Sequence, residues 1–101
     1  MIARTWRGAA TLENAPRYVQ HLEGSVFPQL REIDGHRDAY LLQRAAGDRV
    51  EFLVVTLWDS LEAVRRFAGD DAETAVVEPQ ARAVLTDFDA TVAHYEVALH
   101  P

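Results

Sequence analysis

The spacing of apolar residues changes several times along the chain, and each change marks an element. Residues 2–8, "IARTWRG", alternate as a strand does. From 11 to 33, "TLENAPRYVQHLEGSVFPQLREI" has apolar residues at 15, 19, 22, 26, 30 and 33, a helical spacing. Thr11 is placed to cap that helix and Pro16 suits its first turns. Gly24 weakens its centre, and Pro28 is expected to kink it or divide it in two. Asp34-Gly35 predicts a turn, and "HRDAYLLQRA" (36–45) a second strand. Ala46-Gly47-Asp48 then connects it to a third strand, Val50–Trp58. Asp59 or Ser60 caps a helix over 60–68, with Glu62 in its first turn and Gly69 as its stop. Short helical pieces interrupted by Pro79 follow, and "DFDATVAHYEVAL" (87–99) alternates as the last strand.

The order β-α-β-β-α-β, in a single domain over 1–101, predicts an α+β fold of ferredoxin-like type. That is a four-stranded antiparallel sheet with both helices on one face. Because side chains alternate along a strand, each strand supplies two sets. Aliphatic and small residues suit close contact with helices, which assigns Ala3, Leu41, Leu53, Val55 and Leu57 to the covered face. The other face then carries Arg4, Trp6, Tyr40, Leu42, Phe52, Val54, Thr56, Trp58 and His94. That set is too apolar to stand in water, yet it contains groups that a dry core would leave unpaired. A half-closed cavity shared with a second copy of the chain satisfies both conditions.

Charge and composition narrow the chemistry. The net charge is −6, all ten basic residues are arginine, and there is no lysine and no cysteine. An acidic chain without a basic cluster is a poor partner for nucleic acid. The missing lysine removes Schiff-base chemistry, and the missing cysteine removes disulfides and thiolates. The four histidines have no ligand spacing, so no metal site is expected. No apolar run approaches the length of a membrane span, and no secretory leader is visible, so a cytoplasmic location without membrane contact is expected.

"MIARTWRG", "FLVVTLWDSLEAVRRFAG" and "VAHYEV" together resemble the antibiotic biosynthesis monooxygenase superfamily, the dimeric α/β-barrel proteins. The resemblance extends over essentially the whole chain, and the apolar strand ending in Trp before an acidic or Ser cap and an "EA" helix is its most specific part. It implies a homodimer whose two sheets face one another, each forming half of a barrel. It also implies oxidation of small aromatic or phenolic substrates by molecular oxygen with no cofactor. Another branch degrades haem; it pairs an Asn with Trp and His, whereas the only Asn here, Asn14, lies at a helix start.

On this reading His94 takes a proton from the substrate and Arg4 stabilises the resulting anion. Trp58 and Trp6 stack on it, while Tyr40, Phe52, Val54 and Thr56 complete the wall. Each residue also has a plainer use. Trp58 can plug the end of the barrel, His94 can hold a backbone carbonyl, and Arg4 can pair with Glu96 or Glu51. His21, beside Tyr18 on the helix stripe, and His36, after a turn, have weaker cases. The rivals to an oxygenase are a non-catalytic dimeric ligand-binding or stress-related module and a haem-binding, haem-degrading protein.

Overall fold

The computed structural model describes residues 1–101. Strand β1 (Ile2–Thr11) leads into α1 (Ala15–His21), a π-helical segment (Leu22–Val26) and α2 (Phe27–Arg31). Strands β2 (His36–Ala46) and β3 (Arg49–Trp58) form a hairpin. Then come α3 (Leu61–Ala68), α4 (Pro79–Val84), β4 (Asp87–Phe88) and β5 (Ala93–Glu96). All pairings are antiparallel and the strands lie in the order β2-β3-β1-β4. β5 pairs with β1 beyond β4, at Ile2–Thr5 rather than Gly8–Ala9, so β4 and β5 occupy one lane. The α+β, ferredoxin-like fold expected from the sequence is present.

The predicted final strand 87–99 is shorter and broken. Between β4 and β5 the chain turns from β1 to the preceding loop. Ala75 donates to the Ala90 carbonyl and Val92 to the Glu73 carbonyl, both at 2.9 Å. The loop over residues 69–78 is thereby tied to the sheet edge.

Helix starts and stops follow local chemistry. Thr11 ends β1, and its hydroxyl accepts from the Asn14 backbone N–H at 3.1 Å; the helix begins at Ala15, later than the predicted 11, with Pro16 in its first turn. Pro28 has no N–H to return to Gly24, and its ring crowds that carbonyl. The helix widens into the π segment just before it, so it is interrupted but not ended. At α3, Ser60 Oγ accepts from Ala63 N–H at 3.2 Å, which makes Ser60 rather than Asp59 the cap. Gly35 turns with φ of 93°, and a Cβ there would stand 2.5 Å from the Ala63 Cβ, so only glycine lets α3 approach.

The face assignment is inverted on three of the strands. Arg4 lies opposite Thr56, Trp6 opposite Val54, and His94 opposite Arg4. This row faces the helices: Phe52 packs with Tyr18 and Leu22, and Trp58 with Ala63 and Val64. On β2 the expectation holds, since Leu41 shares the covered face with Val54. Tyr40 and Leu42 lie on the open face, opposite Val55 and Leu53, and so are separated from the other expected site residues. The cause is steric. Where the helices bring Ala15, Ala63 and Ala81 near the sheet, Phe52 and Trp58 fill the interlayer space together with Tyr18, Leu22, Leu30 and Val64. Two apolar clusters result, one around Tyr18 and Phe52, the other around Trp58 and Val64.

Candidate functional site

Between those clusters, a cavity of about 70 Å³ lies between sheet and helices. Strand alternation supplies its floor: Arg4 and Trp6 from β1, Val54 and Thr56 from β3. Helix α1 supplies Tyr18 and His21, the π segment Leu22 and Val26, and α2 brings Phe27 to the same wall. Val76, Val77 and Glu78, from the loop ahead of α4, close the remaining side. The cavity thus belongs to one copy of the chain and is not shared across the open sheet face.

Arg4 and Thr56 are the only buried residues of polar type, and Arg4 is 5 % exposed. No carboxylate pairs with its guanidinium. Nη1 donates to the Ala72 carbonyl at 2.6 Å and Nη2 to the Thr74 carbonyl at 3.1 Å. Nη1 also lies 3.1 Å from His94 Nε2. Arginine has no acceptor, so Nε2 must carry the lone pair and the neutral ring holds its proton on Nδ1. Nδ1 is buried and unpartnered, 3.8 Å from Glu73 Oε1. Burial lowers the His94 pKa and the Arg4 charge lowers it further, against the raising effect of Glu73. Burial likewise lowers the Arg4 pKa, with Glu73 opposing. A cation in an apolar wall, fastened by carbonyls, is available to stabilise negative charge on a ligand.

The other expected site residues divide. Trp6 lines the cavity, with Nε1 donating to the Asp89 carbonyl at 2.7 Å. Gly8 makes that pose possible, because a Cβ there would come 2.8 Å from the Trp6 ring. Val54 and Thr56 line it too. Trp58 is fully buried beside the cavity, not in its wall; Nε1 donates to Thr56 Oγ1 at 2.8 Å, and the ring stacks on Phe67. Phe52 is core material against Tyr18, with ring centroids 4.8 Å apart. Tyr40 is 50 % exposed on the opposite face, its hydroxyl donating to Asp38 at 2.9 Å. His94 touches Arg4 and is not among the lining residues. Nor do Glu96 and Glu51 hold Arg4; Glu51 pairs with Arg44 at 2.9 Å.

From the sequence, His21 beside Tyr18 had only a weaker case, Tyr18 was given no role of its own, and Glu78 was passed over. Tyr18 is buried, which raises its phenol pKa. His21 Nε2 is buried without a hydrogen bond, 3.9 Å from Glu78 Oε2. The signal was present in the periodicity. Residues 18, 21 and 22 lie on one helical stripe, and a stripe carrying Tyr and His points at something polar. Glu78 gave no signal, since it is brought in by an irregular loop.

No protein-family model and no curated protein matches the sequence. Solved structures do. The chain is similar to a proposed antibiotic biosynthesis monooxygenase from Deinococcus radiodurans, with 19% identity, 100% of this chain and 96% of that chain covered, and a TM-score of 0.71. It is similar to MhuD, a heme-degrader from Mycobacterium tuberculosis, with 20% identity, 100% and 99% coverage, and a TM-score of 0.63. SnoaB, a cofactor-independent oxygenase from Streptomyces nogalater, is similar at 14% identity, 99% and 97% coverage, and a TM-score of 0.62. The chain therefore has the fold of the antibiotic biosynthesis monooxygenase-like proteins, as the sequence resemblance implied.

Proposed function

We propose that the protein is a cofactor-independent monooxygenase for a small phenolic or enolisable aromatic substrate. The observation that carries this reading is a buried guanidinium without a carboxylate partner, in the wall of a mainly apolar cavity. The substrate ring lies against Trp6 and Val54 with its oxygen toward Arg4. Loss of the phenolic proton leaves the electron pair on the substrate, and Arg4 stabilises the anion as charge delocalises onto ring carbon. Molecular oxygen then forms a bond to that carbon; as the carbon loses its hydrogen as a proton the O–O bond breaks, leaving a quinone and water, so the substrate supplies all the electrons. His94 positions Arg4: its Nε2 already accepts from the guanidinium, so its part is to aim the cation.

Volume bears on substrate size. About 70 Å³ is less than the roughly 150 Å³ of an engineered cavity that takes benzene. A one-ring ligand requires the Val76–Glu78 wall to give, and a porphyrin is out of scale. Among the lining residues there is also no Asn. Haem degradation is thus disfavoured although a heme-degrader shares the fold.

A second copy of the chain is proposed as the cover of the open face. Tyr40, Leu42 and Tyr95 stand about half exposed there beside Leu53 and Val55, too much clustered apolar surface for a monomer.

Oxygen uptake with phenols of one to three rings tests the activity. Arg4→Leu should lower kcat/KM about hundredfold, the typical effect of losing an oxyanion donor. Absence of uptake by the wild type, with phenol binding retained, would favour a ligand-binding module.

A further inference from the structure

Three buried side-chain nitrogens have no hydrogen-bond partner: His21 Nε2, His36 Nε2 and His94 Nδ1. Such groups are rare in folded proteins because each forfeits its hydration, so each calls for an explanation. The His36 ring is set edge-on to Trp58 with centroids 5.0 Å apart, and His94 is fixed by Arg4. Only His21 belongs to the cavity wall.

His21 has a partner held just out of reach. Its side chain is 11 % exposed, and Nε2 is 3.9 Å from Glu78 Oε2, beyond a hydrogen bond but within ion-pair distance. Glu78 stands at the N-cap of α4, where a carboxylate ordinarily bonds a free backbone N–H, yet its side chain makes no capping bond. Both residues line the cavity, which has Arg4 on its strand side. The titratable groups facing this space are Arg4, Tyr18, His21 and Glu78. Tyr18 is kept protonated by burial and Arg4 cannot accept a proton.

We infer that His21 is the proton acceptor of the cavity and that Glu78 stabilises the imidazolium it becomes. This rests on the reading of the cavity as a phenol site. The substrate O–H bond breaks, its electron pair stays on the substrate oxygen, and the proton forms a bond to Nε2. The cavity then holds a phenolate between two cations, Arg4 and His21, with Glu78 balancing one of them. Imidazole suits the task because its ionisation lies nearest neutrality among side chains. Nε2 is buried and unpartnered, so the tautomer with its hydrogen on Nδ1 offers the vacant acceptor that the step needs, and the 3.9 Å gap to Glu78 is what protonation would close.

The probe is 4-nitrophenol, whose yellow phenolate reports its own ionisation, with quenching of tryptophan fluorescence reporting binding. Measurements are made below the pH at which the free phenol ionises. In the wild type the bound phenol should be largely phenolate. His21→Gln should cut the bound phenolate-to-phenol ratio at least about tenfold, one pK unit, and Glu78→Gln should cut it by less. Ionisation by His21→Gln equal to the wild type overturns the inference, and so does a wild type that binds the phenol without ionising it. If circular dichroism shows His21→Gln unfolded, Glu78→Gln decides, and undiminished ionisation there overturns it. Absence of phenol binding by the wild type overturns the phenol-site reading and this inference with it.

Discussion

The two faces of one sheet differ more than their sequences suggest. On the helix side Phe52, Thr56 and Trp58 are buried and Arg4 is enclosed with them. On the other side the same strands present Leu53, Val55 and, from β2, Tyr40 and Leu42, the last two about half exposed. Both faces are apolar enough to pass for a core. What separates them is the layer each meets: Phe52 and Trp58 are large enough to reach Tyr18, Leu22, Leu30 and Val64 where Ala15, Ala63 and Ala81 leave room. Hydrophobicity therefore locates the strands, whereas size, judged against the opposing layer, selects the face.

The sharpest way to break this comparison is to truncate one residue on each side. Trp58→Ala should cost about 3–5 kcal/mol in urea unfolding, the range for removing a buried aromatic. Tyr40→Ala should cost under about 1 kcal/mol in the isolated subunit. A reversed ranking would restore the opposite face assignment. Next comes charge. Arg4→Met leaves the Ala72 and Thr74 carbonyls and His94 without their donor and should cost about 2–3 kcal/mol. Arg44→Met, whose exposed guanidinium pairs with Glu51 on the open face, should stay within about 0.5 kcal/mol.

Leu42→Arg with Tyr40→Asp tests the open face itself. Sedimentation should show the pair of substitutions converting dimer to monomer while unfolding of the subunit shifts by under about 1 kcal/mol. A monomeric wild type would leave that face without a proposed cover. The smallest effect concerns pH. His36 and His94 both have pKa values lowered chiefly by burial. Below the ordinary value of 6.5 the unfolded chain therefore binds more protons than the folded one. Their contribution is fully present above 6.5 and is lost as pH falls through the folded-state values. His94→Gln should flatten the acid limb of stability against pH; an unchanged slope would contradict burial as the cause.

Much of the fold was legible in order and punctuation. Ser60 and Gly69 bound α3, Pro16 opens the first helix, and the β2–β3 hairpin falls at Gly47. The site was legible in part: Arg4, Trp6, Val54 and Thr56 do share a wall. They share it with helices instead of a second sheet, because β1, β3 and β5 turn their larger side chains toward the helices, while β2 keeps the expected face. The break between β4 and β5 was hidden, since it depends on residues 90–92 pairing with a distant loop. Glu78 was hidden for a similar reason: nothing local to it says where α4 will sit.

The Arg4 contacts also bear on how the chain folds. Its partners Ala72, Thr74 and His94 lie 68, 70 and 90 residues away in sequence. Nearly the whole chain must be gathered before this guanidinium has anything to bond, so the entropy of closing those loops is met before any return. An early-emerging strand thus carries a buried charge that only the last strand and its neighbouring loop can satisfy. Partly folded chains hold that charge in water and gain nothing from burying it. The cavity wall is completed only by the finished molecule, which couples assembly of the site to cooperative folding.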